Sequence, residues 1–192
     1  MRVSYFLKSE RAGFRTWTLD DLPFALALWG DPEVTRLIDA RGKLDENQVR
    51  ERLLNEIATQ ALFEVQYWPV FLLEAGDFLG CCGLRPYKPD EQVYELGIHL
   101  RTPYWGKGHA ADLSRTVMKY AFGQLNVASL FAGHNPRNHR SSRLLHKLGF
   151  RHTHDEYYAP TGLQHPSYLL TREEFDVDTA PRPLASRKGQ PP

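Results

Sequence analysis

Between Trp68 and Leu100 the apolar residues come in short runs broken by glycine and proline, whereas from Ala110 onward they fall at spacings of three and four. The first pattern belongs to strands and the second to one face of a helix. Residues 69–73 and 78–84 read as strands turning near Gly76 and Asp77, residues 85–90 as a loop, and residues 93–100 as a third strand. Ala110, Leu113, Val117, Ala121 and Leu125 make the buried stripe of a helix. Residues 128–133 then read as a strand, 138–148 as a helix and 168–170 as a last strand. Strands alternating with helices require a sheet with helices packed on it, an α/β or α+β fold.

Upstream, residues 14–18 have strand composition, and Asp20, Asp21 and Pro23 open a helix that Gly30 stops. A second helix begins at Asp45, whose side chain caps it while Gln48 answers three residues later. Residues 1–13 form a strand-forming or loosely ordered lead-in to a domain spanning 14–175, and the proline-rich residues 176–192 have the composition of a disordered tail.

Composition narrows the function classes. The chain has 192 residues, with 24 Lys+Arg against 23 Asp+Glu and a net charge of +1. That length carries one domain with a sizeable core, and balanced charge argues against a nucleic-acid surface. No apolar run approaches the roughly 18 residues of a membrane span, so no membrane partner is expected. The N-terminal stretch lacks an apolar run with a small-residue cleavage site, so a cytoplasmic protein is expected. Two adjacent cysteines, Cys81 and Cys82, cannot staple distant segments and read as small buried strand residues. The eight histidines fall on different elements without ligand spacing, so no metal is expected.

Stretch 100–111, Leu-Arg-Thr-Pro-Tyr-Trp-Gly-Lys-Gly-His-Ala-Ala, ends a strand and opens a helix. Gly106, Gly108 and Ala110 let a ligand approach the backbone, the first helical turn presents free N–H groups, and Lys107 adds a positive charge. This is the physics of a pyrophosphate site, although a turn that merely ends a strand has the same glycines. It is neither a P-loop nor a dinucleotide fingerprint. In the second stretch, 135–150, Asn138 and Ser141 open a helix, Leu144, Leu145 and Leu148 form its core face, and Gly149 ends it.

Taken together, Trp105-Gly106-Lys107-Gly108-His109-Ala110 and the Asn138-His139-Arg140-Ser141 through Lys147-Leu148-Gly149-Phe150 block resemble the GCN5-related N-acetyltransferase (GNAT) family. Within it they are similar to the branch that acetylates N-termini of ribosomal proteins, over roughly residues 10–175. The resemblance implies a mixed, mostly antiparallel β-sheet, splayed open between the strand ending near Leu100 and that beginning near Ala128, with helices on both faces. It implies acetyl-CoA as co-substrate and an amine acceptor, either a protein N-terminus or a small molecule, and leaves a homodimer open. It also implies backbone contacts to pantetheine from His99, Leu100 and Arg101, to the diphosphate from Trp105, Gly106, Lys107, Gly108, His109 and Ala110, and a side-chain contact from Asn138. Two other readings are an acyl-CoA-binding regulatory module without activity and a mononucleotide-binding protein.

Acetyl transfer to an amine needs a base for the ammonium proton and a proton for the leaving thiolate. Strand parity puts Glu95, Gly97, His99 and Arg101 on one face of residues 94–101, opposite Leu96, Ile98 and Leu100. Glu95 is the candidate base, and a strand Glu paired with a basic residue is the alternative. His99 reads as a cofactor-side residue. Many relatives carry a tyrosine acid where this chain has Leu145, so Ser141 or solvent is left to protonate the thiolate.

Overall fold

The computed structural model describes residues 4–179. Its first strands are β1 (Leu7–Lys8) and β2 (Ala12–Phe14), so the lead-in is already part of the sheet. Phe14 ends a strand and does not begin one. Residues 15–17 leave the sheet and take Trp17 into a core on one face, where its backbone N–H donates to Gln66 Oε1 at 2.8 Å. Helix α1 (Leu22–Trp29) and the short α2 (Pro32–Thr35) follow, then α3 (Glu46–Phe63). The reciprocal cap expected at Asp45 and Gln48 starts α3, with both hydrogen bonds at 2.9 Å.

Strands β3 (Tyr67–Leu72), β4 (Phe78–Lys88) and β5 (Val93–Leu100) form an antiparallel meander. β4 runs through the stretch expected to be a loop. The last hydrogen bond from β4 on its β3 side is Leu84 N–H to Gln66 O at 3.0 Å, so beyond Leu84 that edge of β4 is free and Pro86 removes no ladder bond there. Helix α4 (His109–Gly123) crosses to β6 (Ser129–Gly133), which lies parallel to β5. Helix α5 (His139–Lys147), the hairpin of β7 (Arg151–Tyr158) and β8 (Leu163–Thr171), and α6 (Arg172–Thr179) complete the described chain. α6 reaches Thr179, inside the segment expected to be disordered; the rest of that segment lies outside the described residues.

Among the described residues eight strands make one sheet in the order β1-β2-β3-β4-β5-β6-β8-β7, and every pairing but one is antiparallel. Helices α4 and α5 cover one face through Leu113, Val117, Ala121, Leu145 and Leu148; α1 and α3 cover the other through Leu28, Trp29, Val49 and Leu53. Cys81 and Cys82 are both free and buried, and alternation sends them to opposite faces. The parallel pair is brief: Val93, Tyr94 and Glu95 register with Ser129, Leu130 and Phe131, and then the strands separate. The sheet opens at Glu95. No helix among the described residues is long and apolar enough to cross a membrane.

Candidate active site

One end of this opening is the turn between β5 and α4. A 3₁₀ turn (Thr102–Tyr104) is followed by Gly106 at φ +75° and Gly108 at φ +80°, a conformation that L side chains avoid. Among the described residues the backbone N–H groups of 106–111 have no partner in the protein, the first helical bond being Asp112 N–H to Gly108 O at 3.3 Å. A Cβ at Gly106 would meet nothing within 4 Å and one at Gly108 only an Arg11 nitrogen at 3.7 Å, so the cradle is open. His109 adds a buried Nδ1 without a hydrogen-bond partner. Orphan donors at the positive end of a 15-residue helix, with Lys107 beside them, fit a diphosphate.

Sequence reasoning missed a second cation here. Arg11, on the β1–β2 turn, donates to Lys107 O at 3.3 Å and lies 3.7 Å from Asp112. It was hidden in the lead-in, because only the pairing of β1 with β2 brings residue 11 against α4. Trp105 leaves the free set: its backbone N–H donates to Thr102 O at 3.2 Å, and its indole donates to Leu100 O at 2.7 Å. Arg101 N–H is likewise taken, by Leu79 O at 2.9 Å. Alternation along β5 then turns the N–H groups of Ile98 and Leu100 toward the opening.

The other end is a cavity of about 340 Å³ that brings Glu95, His99, Asn138 and Ser141 together. Asn138 caps α5, its Oδ1 accepting from Ser141 N–H at 3.1 Å, which leaves its amide N–H groups and the Ser141 hydroxyl for other partners. Leu145, where relatives carry the acid, is only 6% exposed and belongs to the core as well as to the cavity wall.

Glu95 is held among groups the sequence did not single out. Glu56 of α3, with a side chain 0% exposed, accepts the Tyr67 N–H at 2.9 Å and pairs with Arg85. The Arg85 guanidinium lies 4.2 Å from the centre of the Tyr67 ring. Burial raises the pKa of Glu95, against the opposing pull of Arg85 and of the Tyr67 hydroxyl. Tyr67 and Tyr158 are pushed up by burial and then by the Glu95 charge, and Tyr87, whose hydroxyl donates to Glu156 at 2.9 Å, is pushed up to about 12. No signal of spacing announces these residues. Glu56 reads as one more polar residue of a surface helix, and Arg85 falls in a run rich in proline.

The side chain of His99, read as a cofactor-side residue, is held by two aromatic neighbours. Trp29 Nε1–H donates to its Nδ1 at 3.2 Å, and its ring meets Tyr67 edge-on, on the face opposite α4. It lines the cavity. Burial, with Arg52 and Arg85 nearby, drives its pKa well below the ordinary histidine value, so the ring is neutral with its proton on Nε2. The Ala40 N–H donates to Pro160 O at 2.7 Å, tying the segment after α2 to the tip of the β7–β8 hairpin. Among the described residues no group of three or more His, Cys, Asp or Glu is arranged to hold a metal ion.

A splayed mixed sheet with an anion cradle at the head of the crossover helix defines the acetyltransferase class of α/β proteins. Residues 11–151 match the model of the acetyltransferase (GNAT) domain, and the chain belongs to that family. It is an acetyl-CoA-dependent N-acetyltransferase. It is 27% identical over 147 residues to the uncharacterized N-acetyltransferase p20 of Bacillus licheniformis, covering 76% of this chain and 82% of that protein. It is 26% identical to an FsC-acetyl coenzyme A-N(2)-transacetylase of Aspergillus fumigatus, covering 79% of this chain and 70% of that protein. Two solved structures share the fold. A GNAT-family acetyltransferase from Bacillus anthracis superposes with a TM-score of 0.74 at 22% identity, covering 87% of this chain and 98% of that one. AAC(6')-Ib, solved with ribostamycin and coenzyme A, gives 0.72 at 18% identity, covering 89% and 99%.

Proposed function

We propose that the chain acetylates a primary amine seated beside Glu95, with the Glu95 carboxylate removing a proton from the amine, directly or through water. The observation that carries this reading is that Glu95 stands where β5 and β6 part and lines the cavity that opens there. Acetyl-CoA supplies the activated acetyl thioester, and it lies along the opening with its diphosphate on the free N–H groups of 106–111. Lys107 and Arg11 balance the diphosphate charge. The N–H groups of Ile98 and Leu100 and the Asn138 amide hold the pantetheine arm. A raised pKa brings Glu95 closer to the pH at which it works, which favours proton transfer from an ammonium. Tyr67 and Arg85 keep the carboxylate accessible despite its burial. Ser141, whose hydroxyl has no other partner among the described residues, or water returns a proton to the thiolate.

Of the two acceptor classes, a small-molecule amine fits a cavity of about 340 Å³. The test is turnover of labelled acetyl-CoA with a panel of small amines and of peptide N-termini, read as free thiol and acetylated product. Product and thiol in equal amounts support the reading. A folded protein that binds acetyl-CoA but acetylates neither class overturns it in favour of a binding module.

A further inference from the structure

We propose that the acceptor is a small molecule carrying a carboxylate as well as its primary amine, and that Arg52 is the residue that binds this carboxylate. The inference rests on the amine-acetylating function proposed above and narrows its substrate class.

The argument begins with how the cavity balances its charges. Arg85 is paired with Glu56, Glu156 accepts from Tyr87, and Glu95 has the Tyr67 hydroxyl beside it. Asp39, nearby on the segment after α2, is held by Arg41 at 2.6 Å. Arg52 feels the charges of Glu95 and Asp39 but is the exception in having no direct partner. It stands one turn before Glu56 on the buried face of α3 and lines the same cavity. Its guanidinium lies 4.9 Å from the centre of the Trp29 ring, and among the described residues it makes no hydrogen bond or ion pair. Its Nε is buried and has no partner.

A buried guanidinium nitrogen without an acceptor is costly, and folded proteins seldom leave one so. The planar fork of arginine matches a carboxylate with two parallel hydrogen bonds. His99, which also lines the cavity, supplies a second donor, since with Nδ1 accepting from Trp29 its proton is on Nε2. Trp29 therefore touches both groups, carrying Arg52 over its ring and His99 at its nitrogen. A cation and a neutral N–H donor about one indole ring form a receptor for an anion. The volume of the cavity holds a molecule of amino-acid size.

The test compares amino acids and short amino carboxylates with their primary amides, using the full chain and labelled acetyl-CoA, with rates expressed per deprotonated amine. The acids are expected to exceed the amides in kcat/KM by about 10- to 100-fold, the range a charge-assisted pair supplies. Arg52→Gln is expected to collapse that ratio toward one, chiefly through KM, and Arg52→Lys to restore part of it. Equal turnover of acids and amides by the wild-type protein overturns the inference while leaving the amine reading intact, and needs no variant to fold. Retention of the preference in Arg52→Gln overturns the assignment to Arg52. Absence of turnover with every amine overturns the function on which the inference rests.

Discussion

The ring of Tyr67 on β3 occupies the space that a side chain at Gly97 on β5 would need. The two residues lie on strands separated by β4, and the phenol reaches across that strand only because residue 97 has no Cβ. Gly97 thus sets the environment of Glu95 two residues away, by letting a hydroxyl lie beside its carboxylate.

Glu95→Gln is expected to lower turnover by about 10²- to 10⁴-fold with acetyl-CoA affinity preserved. The folded carboxyl has a raised pKa, so activity is present above that value and is lost as pH falls through it, higher than for an ordinary glutamate. The acidic limb of the wild-type profile should be absent from the variant. Near-normal turnover at neutral pH with the limb retained removes Glu95 from the base role.

Tyr67→Phe keeps the ring and deletes the hydroxyl. That hydroxyl favours the carboxylate, so its removal should move the acidic limb further toward neutral pH, with little change in melting temperature. Gly97→Ala should do more, displacing the whole ring and costing stability too. Profiles of kcat/KM against pH for the two variants check the order.

Glu56→Ala removes one partner of a buried ion pair and the acceptor of the Tyr67 N–H. The expected loss is about 3 kcal/mol, since Arg85 and the amide are left without a partner. Thermal unfolding should show a fall of roughly 10 °C. A drop of only a degree or two counts against the pair as an anchor of β4 to α3.

Gly108→Val should weaken acetyl-CoA binding far more than it lowers stability, since φ is +80° and the branched side chain would stand in the anion cradle. Arg11→Ala should weaken it less and flatten its salt dependence, because Arg11 contributes charge from a partly exposed position. Calorimetry on the folded variants measures both.

The crossover core was legible because its signals are local. The helical stripe from Ala110, the Asp45–Gln48 cap and the alternation about Glu95 each follow from spacing within one element, and the structure contains all three. β7 was not legible. Its sequence, Arg-His-Thr-His-Asp-Glu-Tyr-Tyr, is almost wholly exposed, so neither apolar alternation nor strand composition marks it, and only pairing with β8 makes it a strand. β4 was cut short for the opposite reason, a local proline signal overridden by a free edge. The cofactor cradle could be found because helix-start physics is written in consecutive residues. Glu56, Tyr67, Arg85 and Arg52 come from three elements, and nothing in the chain between them records that they meet.

Three register pairs join β5 to β6, and the last of them contains Glu95. A sequence change that extended this ladder by even one pair would make the sheet more regular and the protein more stable. It would also pull shut the gap into which the co-substrate reaches. Selection for thermal resistance alone would therefore act against activity at this seam, and stabilising substitutions should accumulate away from it, in the β7–β8 hairpin or on the outer face of α3.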